Sequence, residues 1–324
     1  MNPADLPGIR IFRDIAYVER GGPRQRLDLF LPAQSTGAQQ PSGVPLVVWI
    51  HGGEFRKGNK TQNVPLWLVD EGYAVASVNY RLSPSMPNDG NLLVLSGLGA
   101  EGITSDDAVE FGLGPSSRLE APSGHALFPA QIEDCKAAVR WLRARASQYG
   151  IDAERIAAWG ESAGGHLAAL LGTTGGIVTF DVGAHLGVSS RVQAVVDFFG
   201  PTDFLQMDAH RLPTGRAHDA PDSPESLVIG GPIQENKDKV ARANPITYVS
   251  NDAPPFLIVH GDSDPLVPHH QSELLESALT KADVPVTFYT VRGGGHGRFT
   301  DPAVPMIIRR FLGEHLRGAR GKLG

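Results

Sequence analysis

Hydrophobic and polar positions along this chain follow two alternating rhythms. Short, nearly continuous apolar runs recur near residues 45–50, 73–79, 156–159, 193–199, 255–260 and 286–291, as in strands buried on both faces of a parallel sheet. Two earlier segments, 9–19 and 26–31, read as an antiparallel opening pair. Helical spacing separates the later runs. Its clearest instance is Phe128, Ile132, Cys135, Val139, Leu142 and Ala146, whose steps of four and three make one apolar stripe for one sheet face. A closing helix with Ile308, Phe311, Leu312 and Leu316 is expected to pack behind His296. The alternation predicts an α/β chain with a mostly parallel eight-stranded sheet, helices on both faces, and one domain over 1–324.

Four loops at predicted strand ends carry the chemistry. In Trp159-Gly160-Glu161-Ser162-Ala163-Gly164-Gly165-His166 a serine lies between two glycines, after an apolar run and before the helix-forming Leu167-Ala168-Ala169-Leu170-Leu171. That is the sequence form of a nucleophile elbow, a sharp strand-to-helix turn where a Cβ at Gly160 or Gly164 meets opposing backbone. His51-Gly52-Gly53-Glu54-Phe55 follows the run 46–50. Its backbone N–H groups at Gly53 and Glu54, with that of Ala163, are placed to stabilise an oxyanion. His51 and Gly52 are assigned to shaping that loop, His51 through bonds to backbone carbonyls. Later, 256–260 runs into His260-Gly261-Asp262-Ser263-Asp264, and 286–291 runs into Gly293-Gly294-Gly295-His296-Gly297. A serine needs a base, and His296 supplies one if a carboxylate fixes its tautomer. Asp262 and Asp264 both qualify at this stage.

These motifs in this order resemble the α/β-hydrolase superfamily, and within it the esterase and lipase group with an H-G-G-x-[FW] loop, which includes feruloyl and acetyl esterase-like enzymes. The resemblance covers nearly the whole chain. Its H-G-x-x-D-x-x-V pattern implies Asp264 as the acid, leaving Asp262 to cap or brace the loop. It implies a carboxylic ester hydrolase that passes through a covalent Ser162 ester, with an aryl, feruloyl or carbohydrate acyl ester as substrate and no cofactor. Glu54 departs from the hormone-sensitive-lipase form H-G-G-G, so its carboxylate must point away from the acyl oxygen. Arylformamidases and prolyl oligopeptidases use the same machinery, and some binding proteins have kept the fold without the chemistry. No gating propeller is expected within the given 324 residues, and all three members of the charge system are present. In the resembling esterases Asn79-Tyr80-Arg81-Leu82-Ser83-Pro84 runs almost directly into Phe128-Pro129-Ala130. Here 85–125, rich in Gly, Ser and Pro, intervenes and is expected to be either a solvated excursion or a flap that sets specificity for a bulky substrate.

Composition narrows the picture further. With 41% hydrophobic and 20% charged residues, the 324-residue chain is expected to be soluble and globular. A net charge of −6 with scattered basic residues argues against a nucleic-acid partner. Cys135 is the single cysteine, expected as a buried, inert thiol. Residues 1–15 have no continuous apolar core, and no stretch is long enough to span a bilayer, so neither a secretory signal nor a membrane span is expected in the given chain. The compartment stays open between cytoplasmic and secreted with its signal removed, and oligomer formation through an edge strand stays open as well. His210, Arg211, Arg216 and His218, in the loop after the 193–199 run, face either the site or solvent. With Asp208 and Asp219 they fit no zinc spacing, so no metal is expected. His269-His270 reads as a solvated helix start.

Overall fold

A computed structural model describes residues 8–33, 43–84, 125–297 and 299–317. Eight strands form one sheet in the order β1-β2-β4-β3-β5-β6-β7-β8. They are β1 Ile9–Ala16, β2 Arg26–Pro32, β3 Val44–Ile50, β4 Ala74–Val78, β5 Ile151–Glu161, β6 Ala194–Phe198, β7 Phe256–Gly261 and β8 Val286–Val291. β1 pairs antiparallel with β2, and β2 antiparallel with β4, while every pairing from β4 onward is parallel. The opening strand stops at Ala16, short of the expected 19, after a register shift between Phe12 and Ile15.

Period-two alternation divides the central strands between two cores. Val48, Ile50, Ala158 and Ile258 face one side, where the helices Ala130–Ala144, Ala163–Thr173 and His270–Lys281 bury Ile132, Leu167 and Leu275. Val47, Trp49, Ala157, Trp159 and Val259 face the other, against Ile308, Leu312 and Leu316 of the helix Ala303–Arg317. The closing helix therefore packs on the sheet face that Phe299, just after His296, also joins. The apolar stripe is half-buried at Phe128 and buried from Ile132 onward, but it is not one helix: the helix Ala130–Ala144 ends at Arg145, and Ala146 opens the short turn Ala146–Tyr149. Gly150 ends that turn in the left-handed region, so the chain can reverse into β5. Cys135 is fully buried, and burial pushes its thiol well above the ordinary range.

The predicted 85–125 flap lies outside the described residues except for His125, which bridges Leu82 while its Nδ1 lies 2.9 Å from the Ser83 carbonyl. Among the described residues no helix is long and apolar enough to cross a membrane. This architecture is the α/β-hydrolase fold, and it brings the carboxyl ends of β3, β5, β6, β7 and β8 to one edge of the sheet, where α/β proteins bind ligands.

Leu312 is fully buried against that second face. Leu312→Ala is expected to lower the unfolding free energy by about 2–5 kcal/mol, read as a reduced urea midpoint at unchanged slope. A change under about 0.5 kcal/mol would show that the helix does not pack as described.

Candidate active site

Local sequence sets each turn of the site. At the end of β5, Ser162 has φ 56° and ψ −121°, and its N–H donates to the Phe198 carbonyl at 2.8 Å. The helix Ala163–Thr173 starts immediately afterwards and is buried over its whole length. Small residues make this possible. A Cβ on Gly160 would lie 2.1 Å from the Gly164 carbonyl oxygen, and one on Gly164 would lie 2.1 Å from the Ile50 carbonyl oxygen. The helix N-terminus is thus pressed against both its own strand and β3.

Beside it, the loop after β3 curls through Gly53 at φ 120°, with Glu54 at 57° and Phe55 at 62°. The Gly53 carbonyl accepts from the Arg56 and Lys57 N–H groups at 3.0 and 2.9 Å. Among the described residues, the N–H groups of Gly53, Glu54 and Ala163 donate to no protein acceptor. His51 is buried, stacks on Tyr80 with ring centroids 4.4 Å apart, and places Nδ1 2.6 Å from the Gly52 carbonyl. Burial lowers its pKa to about 3, so the ring is neutral in the physiological range. The Glu54 carboxylate is clamped by Arg56 at 2.8 Å and by Arg216 at 2.6 Å. Burial alone would raise its pKa, yet these two guanidinium groups hold it below the ordinary value.

Asp264 and His296 meet beyond the ends of β7 and β8. His296 Nδ1 lies 2.7 Å from Asp264 Oδ2. A carboxylate only accepts, so the proton sits on Nδ1 and Nε2 keeps its lone pair. Asp264 Oδ1 accepts from the Leu266 and Val267 N–H groups at 2.7 and 3.0 Å. Its Oδ2 also faces Nε2 of the buried His260 at 3.2 Å, while the Ser272 hydroxyl lies 2.7 Å from the other nitrogen of that ring. Burial opposes the charge on Asp264, but the two imidazoles hold its pKa well below the carboxylate range. Asp262 is exposed and accepts from the Gly293 N–H at 2.7 Å, bracing the loop that leads to His296.

Ser162, Ala163, Gly53, Glu54 and His296 line one cavity of about 450 Å³. Five non-glycine residues with positive φ line it, namely Glu54, Phe55, Asn63, Ser162 and Phe199. Left-handed backbone at such residues costs on the order of 1–3 kcal/mol each and gathers where function requires it. Phe199, at φ 43°, sets its ring 4.6 Å from that of His296.

The loop after β6 divides. Arg216 and His218 reach the cavity. His210 instead stacks on His270 at 3.4 Å, and Asp208 accepts the His218 and Asp219 N–H groups at 2.7 and 2.9 Å. His269 and His270 are half-buried rather than solvated, because His269 packs on Phe288 and its Nε2 lies 3.0 Å from the Thr290 hydroxyl. Sequence reasoning missed the Glu54–Arg216 and His218–Glu225 pairs, which join distant loops and leave no periodic trace. It also missed the bond of His260 to Asp264, although the four-residue spacing in 260–264 holds the signal.

Comparison with known proteins places the chain among esterases. The BD-FAE family model matches residues 27–89 and 120–279. The chain is 28% identical over 330 residues to the probable carboxylic ester hydrolase LipM of Mycobacterium tuberculosis, covering 96% of this chain and 64% of LipM. It is 32% identical to esterase LipC of the same organism, covering 78% of this chain and 51% of LipC. It thus spans less than two thirds of the length of either curated relative. A solved truncated carbohydrate esterase from gut microbiota superposes with a TM-score of 0.74 at 29% identity, covering 95% of this chain and 96% of that one.

Beneath the elbow, Asp197 is buried, with Oδ1 accepting the Gly200 N–H at 3.0 Å and Oδ2 without a partner. Burial raises its pKa from 3.8 to about 7. A group raised on folding adds stability that is complete below its unfolded pKa and fades as pH rises through the folded one. The window here is about pH 4 to 7, and the loss is on the order of 4 kcal/mol. Asp197→Asn is expected to remove that decline, so urea unfolding at pH 5 and pH 8 should differ less for the variant than for wild type. Equal pH dependence in the two proteins would contradict a buried, proton-binding Asp197.

Proposed function

The chain belongs to the BD-FAE family of α/β-hydrolase esterases, and from that premise we propose that it hydrolyses carboxylic esters through Ser162, His296 and Asp264. The observation that carries this reading is the 2.7 Å bond from His296 Nδ1 to Asp264, which leaves Nε2 as a base beside the cavity that Ser162 lines. His296 Nε2 takes the Ser162 Oγ proton as Oγ attacks the acyl carbon. The carbonyl oxygen gains the negative charge and is held by the N–H groups of Gly53, Glu54 and Ala163, each worth about 3 kcal/mol to the transition state. Collapse of the tetrahedral species expels the alcohol, which takes the proton from His296. Water then gives a proton to the same nitrogen and attacks the acyl-serine, releasing the acid and restoring Ser162. Asp264 keeps the tautomer and stabilises the imidazolium throughout.

The substrate we propose is an acyl ester of a carbohydrate, with an acetyl or feruloyl acyl group. The likeness to a carbohydrate esterase over nearly the full length of both chains supports that choice.

Hydrolysis of p-nitrophenyl esters of increasing chain length, with methyl ferulate alongside, tests the proposal. Wild type should turn over, and Ser162→Ala should lose about 10⁴-fold or more in kcat, as should Asp264→Asn through the wrong histidine tautomer. Retained turnover in Ser162→Ala would overturn the nucleophile assignment.

A further inference from the structure

One polar pair in the cavity wall has no part in acyl transfer. His218 is 2% exposed and is among the residues that line the cavity. Its Nδ1 lies 3.0 Å from Oε2 of Glu225, a side chain that is itself buried. Nε2 is buried and has no hydrogen-bond partner. Both residues are anchored by other contacts. Asp208 accepts the His218 N–H at 2.7 Å, and Glu225 lies in the first turn of a helix whose N-cap, Ser223, accepts the Ser226 N–H.

An unpaired buried polar atom costs roughly 1–3 kcal/mol, which is recovered when a ligand completes the hydrogen bond. The carboxylate of Glu225 only accepts, so Nδ1 carries the proton and Nε2 is the variable atom. Burial disfavours the charged ring, while Glu225, Asp208 and the nearby Leu266 backbone carbonyl raise its pKa above the ordinary histidine value. Nε2 therefore presents a lone pair in the neutral ring and an N–H in the charged one. A hydroxyl satisfies both states, because it donates to the first and accepts from the second. A carboxylate would suit only the charged ring and would meet two further carboxylates, Glu225 and Glu54. The Glu54–Arg216 pair lines the same cavity and presents acceptor and donor side by side with its charges compensated, which again suits neutral hydroxyls.

We propose that the His218–Glu225 pair is a hydroxyl-reading subsite, in which Nε2 of His218 binds a free hydroxyl on the substrate and Glu225 holds the ring in place. The proposal rests on the reading of Ser162 as nucleophile in the same cavity. His218 is a specificity residue and Glu225 a positioning residue.

The test compares a mono-acetylated methyl xyloside, which has free hydroxyls, with p-nitrophenyl acetate, which has none. His218→Leu should lower the ratio of kcat/KM for the xyloside to that for p-nitrophenyl acetate by about tenfold or more, chiefly through KM for the xyloside. His218→Gln, which keeps a donor and an acceptor, should recover part of the ratio. A parallel fall on both substrates, or an unchanged ratio, would overturn the proposal and leave the pair a structural one. Should His218→Leu fail to fold, wild type alone decides: a deoxy analogue of the xyloside ester should lose about tenfold in kcat/KM, and an equal rate would refute the subsite. Inertness of wild type toward both substrates would sink the serine reading instead. Calorimetric binding of methyl xyloside to wild type and His218→Gln then decides, with weaker binding by the variant supporting the subsite and equal binding refuting it.

Discussion

The Asp264 carboxylate is the contact on which the rest of the site depends. A carboxylate 2% exposed is costly unless its lone pairs are filled, and here two backbone N–H groups fill one oxygen while two imidazoles share the other. The backbone bonds fix the loop that follows β7. The bond to His296 fixes a ring carried on a separate loop after β8. His260 closes the arrangement from below: its Nε2 faces both Asp264 and the Val267 carbonyl, which only accept, so that nitrogen carries the proton and the Ser272 hydroxyl donates to the other. Burial also lowers the pKa of His260, which keeps that ring neutral.

The sheet supplies what this contact needs. Six parallel strands bring their carboxyl ends to one edge, and the buried apolar runs hold the loops there on a rigid base. Backbone strain is concentrated there as well: Glu54, Phe55, Asn63, Ser162 and Phe199 adopt left-handed conformations in one cavity wall. Packing makes that strain tolerable. The Ser162 N–H is tied to the Phe198 carbonyl, and the Cα atoms of Gly160 and Gly164 lie where side chains would collide with backbone oxygens.

Much of this was legible in the sequence because strands and their terminal loops leave local marks. The apolar runs located the strands, although β5 begins at Ile151, five residues before the run at 156–159, and the spacing of the glycines around Ser162 marked the elbow. Identifying Asp264 required the family pattern, since Asp262 is equally acidic in sequence and differs only in exposure and in its bond to Gly293. The break between Arg145 and Ala146 escaped notice because a buried stripe continues across it while the backbone does not. The partners of Glu54 and His218 were invisible because pairing between loops is set by the sheet order and not by spacing along the chain. The 85–125 segment has no periodic pattern to read, and all of it but His125 lies outside the described residues.

The central claim is that Ser162 is a nucleophile activated by the His296–Asp264 pair. Reaction with a serine-directed fluorophosphonate, followed by intact mass measurement and peptide mapping, tests it most directly. The account predicts a single adduct, located on Ser162, that forms on wild type and is absent from Ser162→Ala. An adduct on a different residue, or none on folded wild type, would contradict it.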